Sequence, residues 1–178
     1  KYGGTFIFNQ PVPRNILNAF AEQKGDIIKQ YLAEQHLQPQ PADDVLYLDA
    51  DVLFPCAVQN VIREDNVGKV RAKNVVEGAN GPVTDAARTA LYAREVNLVP
   101  DFIANPGGII AAFVEMTSDV SADENARTLK KVKEAKEMTI RCIEKNIERM
   151  MTLAHDNNVE PAIAGRYMAY KNIFEGIR

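Results

Sequence analysis

The spacing of apolar positions shifts along the chain, and each shift marks a different kind of element. After Gly3-Gly4, residues 5–8 suit a short strand. From Pro11 onward Ile16, Leu17, Phe20, Ile27, Ile28, Tyr31 and Leu32 fall mainly three and four residues apart, which predicts helix. Gly25 is a place for that helix to break, and Gln38-Pro39-Gln40-Pro41 stops it. The apolar runs then shorten. Asp51-Val52-Leu53-Phe54-Pro55 predicts a strand buried on both faces, residues 59–67 a short helix or turn, residues 74–77 a second strand and residues 96–102 a third. Thr84 suits an N-cap, with Asp85 in the first turn of a helix over residues 86–95. Asn105-Pro106-Gly107-Gly108 closes the third strand, and a helix follows from Ile109 to Met116.

The last third has a single long period. Ser121-Ala122-Asp123-Glu124 has the form of a capping box, in which hydroxyl and carboxylate satisfy each other's backbone amides. Behind it Leu129, Val132, Thr139, Ile143, Ile147, Met150 and Ala154 line one stripe of a helix reaching about His155. Asn157-Asn158 ends it, and Pro161 opens a final helix through Ala164, Met168, Tyr170 and Ile173. Strands alternating with helices, each strand followed by a loop of Gly, Asn and Pro, predict an α/β open sheet with parallel strands, carrying a C-terminal helical arm.

Composition narrows the function classes. A length of 178 residues predicts one domain, or one with a small appendage. Its 21 Lys and Arg against 24 Asp and Glu give a net charge of −3, and no basic run interrupts the balance, so a nucleic-acid partner is not expected. The richest apolar stretch, residues 109–114, is far too short for a membrane span. Cys56 and Cys142 lie apart without metal-site spacing, and His36 and His155 are distant from both, which points to reduced thiols in a cytoplasmic setting rather than a zinc site. The first residue is Lys1 rather than Met, which suggests a processed or excised chain.

In open parallel sheets, ligands bind beyond the carboxyl ends of the strands, where backbone amides converge. Pro55-Cys56-Ala57, Gly78-Ala79-Asn80-Gly81-Pro82 and Asn105-Pro106-Gly107-Gly108 occupy those positions. Each combines small residues, which admit a ligand to the backbone, with hydrogen-bonding groups, although Gly and Asn also serve simply as turn residues. The full strings around these loops, Asp51-Val52-Leu53-Phe54-Pro55-Cys56-Ala57, Val76-Glu77-Gly78-Ala79-Asn80-Gly81-Pro82-Val83-Thr84 and Val99-Pro100-Asp101-Phe102-Ile103-Ala104-Asn105-Pro106-Gly107-Gly108, resemble the glutamate/leucine/phenylalanine/valine dehydrogenase family. The resemblance runs in order from Lys1-Tyr2-Gly3-Gly4 to residues 161–174, and the Glu-Gly-Ala-Asn-Gly-Pro string is closest to the glutamate branch.

The resemblance implies a partial Rossmann-like sheet and NAD- or NADP-dependent oxidative deamination of an L-amino acid, glutamate favoured, to a 2-oxo acid and ammonium. It implies that Pro55, Cys56 and Ala57 line the nucleotide cleft, with Gly78 beside them. Asn80 and Asn105 would bond the nicotinamide ribose or carboxamide, and residues 107–112, with Ile109 and Ala112, would face the substrate side chain. Residues 1–118 would be the C-terminal part of the dinucleotide-binding domain and residues 119–178 helices packing on it or bridging from it. The complete family protein is a homo-oligomer, usually a hexamer.

The match has two departures. No GxGxxG turn occurs, and the family's catalytic Lys and Asp belong to residues upstream of Lys1, so no catalytic residue is carried over and the chain alone is expected to be inactive. Ala112 stands where glutamate enzymes usually place a Ser for the substrate's side-chain carboxylate. Either the substrate is not glutamate, or another residue receives that carboxylate. A non-catalytic regulatory or assembly domain that keeps the fold is the alternative function. For individual residues the plainer roles are packing for a buried Cys56, surface or helix-end positions for His36 and His155, a turn or cap acceptor for Asp101, and core or an arm contact for Met150-Met151.

Overall fold

The computed structural model describes residues 4–117 and 124–176. The chain divides into two compact units, one ending at Leu48 and the other beginning at Asp49, a division that the apolar pattern did not locate.

In the first unit, the single helix expected after Pro11 is two: α1 (Arg14–Ala21) and α2 (Gly25–Glu34). Between them Gln23 turns to φ 56°, and Gly25 opens the second helix instead of ending the first. Ala19, Ile28 and Leu32 form the buried centre, with Phe6, Phe8, Phe20 and Leu37 packed on it. The Phe8 and Tyr31 rings stack at 5.9 Å. Leu17 and Ile27, expected on the same stripe, are exposed. The strand expected at residues 5–8 is a single antiparallel bridge, Thr5 to Gln40, with backbone bonds of 2.9 and 2.8 Å. Pro39 and Pro41 flank Gln40 at positions whose N–H groups would face away from Thr5, so the bridge forms without them.

The second unit is built on three short parallel strands in the order β1 (Val52–Leu53), β2 (Asn74–Val76), β3 (Asn97–Val99). Leu53, Val75 and Leu98 stand side by side in register and are all buried. The alternate positions are wetter, and Val52 is 43% exposed, so β1 is not buried on both faces as its apolar run suggested. Asn74 and Asn97, also in register, bond to each other through their side-chain amides at 3.0 Å. Residues 59–67 do not form a helix. The Asn66 side chain accepts from Arg63 N at 2.7 Å and donates to the Val61 carbonyl at 2.8 Å, bonds that compete with helical ones. A short 3-10 turn at Val67–Lys69 and a parallel bridge from Ile62 to Val83 take the helix's place.

Thr84 caps α3 (Asp85–Ala93), accepting from Ala87 N at 3.3 Å. The third strand is shorter than expected because Pro100 follows it and the chain turns at once into α4 (Asp101–Ala104). Next comes α5 (Gly107–Thr117), which begins at the glycines read as loop, where Ile110 N reaches back to the Pro106 carbonyl at 3.0 Å. The Ser121 capping box lies outside the described residues. The long helix α6 (Glu124–Asn157) ends where Asn158 takes φ 51°, and α7 (Pro161–Gly176) starts at Pro161.

The core between these helices gathers at one end of α6. Met150, fully buried, meets Ile103, Ala154, Ala164 and Met168, with Val99 of β3 packed against them. Gly165 makes this approach possible: a Cβ there would sit 2.9 Å from the Phe102 ring and 3.4 Å from Met150 Sδ. Further up the same stripe Val132 is 61% exposed, and on α7 Tyr170 and Ile173 are exposed as well. No helix among the described residues is long and apolar enough to cross a membrane.

This asymmetry along α6 can be measured by urea unfolding. Met150→Ala is expected to cost about 2–5 kcal/mol, as for a fully buried large-to-small change, whereas Val132→Ala should cost less than about 0.5 kcal/mol. Equal losses would show that the helix is anchored along its whole length.

Candidate functional site

Because the strands are parallel, the loops that follow them emerge at one edge of the sheet, and backbone bonds stitch them together there. The Pro55 carbonyl accepts from Gly78 N at 3.2 Å and from Ala79 N at 2.9 Å, joining the loop after β1 to the loop after β2. Glu77 N donates to the Val99 carbonyl at 3.0 Å, joining that loop to the end of β3. Gly78 lies so close to Cys56 that a Cβ would collide with Cys56 Sγ, so only glycine fits without rearrangement. Gly81 takes φ +55°, a left-handed turn that suits glycine, and sets Asn80 on its outer side. Asn105 Nδ2 then donates to Asn80 Oδ1 at 3.1 Å, so the two amides meet across 25 residues of chain.

Beneath this surface lies an ion pair that the apolar pattern did not reveal. Glu77 is fully buried and accepts from Arg88 through both oxygens, Nε to Oε1 at 3.0 Å and Nη2 to Oε2 at 2.9 Å. Glu77 Oε2 also accepts from Asp101 N at 2.9 Å. The Arg88 Nη1 continues outward to Asp85 Oδ1 at 2.7 Å, and Arg166 of α7 reaches the same oxygen at 2.8 Å. Burial opposes the charge on Arg88, but the hydrogen bonds and charge of Glu77, then of Asp85, outweigh it and hold the guanidinium above its usual value. The exposed Asp85 carboxyl is held below its usual value, first by the hydrogen bond from Arg166 and then, against the opposing effect of burial, by the charge of Arg166 and the hydrogen bond and charge of Arg88. A sign was available in the sequence: Arg88 stands between Ala87 and Leu91 on the apolar face of α3, and a charge there needs a buried partner.

The residues singled out from the sequence fall into three groups. Asn80, Asn105, Cys56 and Ala57 are exposed at the loop edge, with Gly78 half-buried between them. Pro55 is buried, and the group it offers is its carbonyl oxygen, already used to tie the loops. Ile109, 75% exposed, and exposed Ala112 lie three residues apart on α5, in an apolar row with Phe113 and Met116. Cys56 is not the buried packing residue expected of it: the tight contact with Gly78 leaves its other side open. His36 and His155 are exposed, the latter in the last turn of α6. Asp101 is an acceptor, for its neighbour Phe102 N at 2.8 Å and, from the loop after β2, for Gly81 N at 2.8 Å.

The profile of the glutamate/leucine/phenylalanine/valine dehydrogenase family matches residues 4–175, and the chain belongs to that family. It is 43% identical over 118 residues to an NADP(+)-dependent glutamate dehydrogenase of Pyrobaculum calidifontis, covering 66% of this chain and 28% of the relative. An NAD-specific glutamate dehydrogenase A of Halobacterium salinarum is 43% identical over 79 residues, 44% of this chain and 18% of its own. Among solved structures, a glutamate dehydrogenase aligns over 97% of this chain and 40% of its own with a TM-score of 0.75 at 16% identity. A hetero-hexameric glutamate dehydrogenase from Thermus thermophilus in its Leu-bound form aligns over 84% and 35%, with a TM-score of 0.61 at 19% identity. These likenesses agree with the Rossmann-like α/β fold expected from the loops. The chain spans less than a third of the length of either sequence relative.

Two outcomes follow from the ion-pair network. Glu77→Gln removes the buried counter-charge of Arg88, leaving only the exposed Asp85, and is expected to cost about 3–5 kcal/mol in urea unfolding, while Glu77→Gln with Arg88→Met should recover much of that loss. For Asp85 the folded-state value lies below the unfolded one, so its stabilisation is present above about pH 4 and is lost as pH falls through the folded value. Asp85→Asn should therefore flatten the fall in stability below about pH 4, by a small and salt-sensitive amount because the carboxylate is exposed. An unchanged acid limb in thermal melts would remove Asp85 from the account.

Proposed function

We propose that this chain supplies the nicotinamide side of a nucleotide site for NAD- or NADP-dependent oxidative deamination of an L-amino acid, glutamate favoured, to a 2-oxo acid and ammonium. The observation that carries this reading is the Asn80–Asn105 pair, two exposed amides joined at 3.1 Å beyond the carboxyl ends of adjacent parallel strands. With that bond made, Asn80 still has N–H to donate and Asn105 still has a carbonyl oxygen to accept. A carboxamide offers the complementary acceptor and donor, so the residues present fit the nicotinamide group. When bound, that group takes the hydride from the substrate's α-carbon. The chain's part is to fix where the ring sits, through two amides whose backbone is already tied down.

The names of the relatives support the choice of glutamate and of either nucleotide, and the hexameric relative supports an oligomer for the complete protein. The exposed apolar row Ile109, Ala112, Phe113 and Met116 is a surface for the substrate side chain. Ala112 cannot bond a side-chain carboxylate, so another group must receive it if glutamate is the substrate. The catalytic proton transfers belong to groups outside these residues, and the chain by itself does not turn over.

The test is Asn80→Ala with Asn105→Ala in the complete protein. Losing two hydrogen bonds to the carboxamide is expected to lower kcat/KM for the nucleotide by about 10- to 100-fold. Steady-state kinetics at wild-type level would leave a non-catalytic regulatory or assembly domain as the better reading.

A further inference from the structure

Asp101 is bonded to both segments that carry the paired amides. Its Oδ2 accepts from Gly81 N at 2.8 Å, next to Asn80, and its backbone carbonyl accepts from Asn105 N at 2.7 Å. Its own N–H is held at 2.9 Å by Glu77 Oε2, an oxygen that Arg88 fixes from beneath. The bond to Phe102 N is local and the bond from Asn105 N is the closing backbone bond of α4, but the Gly81 bond is made by the side chain and crosses 20 residues to a different loop. Gly81 is also the residue whose backbone must hold φ +55° for the turn behind Asn80 to close. Free to move, an exposed amide at a loop tip samples many orientations, and a ligand that selects one of them binds more weakly in proportion.

From this geometry we propose that Asp101 is a positioning residue for nucleotide recognition: it sets the orientation of Asn80 and Asn105 without touching the nucleotide, and Glu77 with Arg88 fixes Asp101 in turn. The inference rests on the reading of the amide pair as the nicotinamide site.

The experiment is a double-mutant cycle in the complete protein, with KM for NAD⁺ and NADP⁺, KM for the amino acid and kcat measured separately. Asp101→Ala is expected to raise KM for the working nucleotide about tenfold, and Asp101→Asn, which keeps one oxygen for Gly81 N, about threefold. KM for the amino acid should stay within twofold of wild type. In a background already carrying Asn80→Ala and Asn105→Ala, the Asp101 change should add no further rise, because there is nothing left to position. Ile28→Ala, a core change in the first unit, controls for lost stability: at a comparable fall in Tm it should leave nucleotide KM unchanged. If Asp101→Ala fails to fold, the cycle is read with Asp101→Asn.

The inference is overturned if Asp101 variants leave nucleotide KM within twofold while the Asn double variant raises it, or if the two effects multiply independently. If the Asn double variant itself leaves kinetics unchanged, the nicotinamide reading and the positioning role fall together.

Discussion

The loop edge of the second unit depends on a carboxylate and a guanidinium taken out of water together. Burying either alone costs several kcal/mol, and the pair offsets this because both carboxylate oxygens and all three guanidinium nitrogens have partners. Glu77 meets Arg88 with both oxygens and accepts a further bond from Asp101 N, while Arg88 donates from its outer nitrogen to Asp85. An apolar pair of the same volume would hold α3 against the sheet as well or better. It would provide no acceptor for the Asp101 amide, and the connection from the interior to the Asn80 turn would end there. The pair's contribution is geometric more than energetic.

That contribution matters because the strands are so short. Two or three residues per strand give a few ladder bonds and one buried row, Leu53, Val75 and Leu98. A sheet of that size cannot set the path of the long loops leaving it. Their path is set instead by the Pro55 carbonyl, by the Glu77 and Asp101 carboxylates, and by the close approach of Gly78 to Cys56. The helices use other means. Around Met150, α4, α6 and α7 meet through apolar contact, and Gly165 provides the necessary space. Polar bonding governs the edge that faces a ligand, and close packing governs the side that faces the helices.

What could be read from the sequence follows the same division. The parallel α/β plan, the Thr84 cap, the start of α7 at Pro161 and the end of α6 at Asn157 were legible because each depends on local residue chemistry. The three loops were placed beyond the strand ends because Gly, Asn and Pro mark such turns wherever they occur. The place of Arg88 on the apolar face of α3 called for a buried partner, but neither Glu77 as that partner nor the Asp101 bridge was legible, since these bonds join residues 11 to 24 positions apart. Local causes also decide the helices: side-chain bonds from Asn66 select the turn over the helix at 59–67, and the left-handed Gln23 splits the first predicted helix in two.

The length of α6 has a mechanical side. Its 34 residues extend about 51 Å, yet its buried contacts concentrate around Met150 near one end. Farther out it carries α5 against its flank, with Gly107 beside Thr139 and Lys131 donating to the Glu115 carbonyl. Thr139 and Lys131 lie about 16 and 28 Å along the axis from Met150. A tilt of about 5° at that fulcrum would sweep those points through about 1.4 and 2.5 Å. The Asn80 turn, anchored on the sheet through Glu77, would hardly move. The molecule thus holds one bank of its edge on a fixed post and the other, with Ile109 and Phe113, on the arm of a lever.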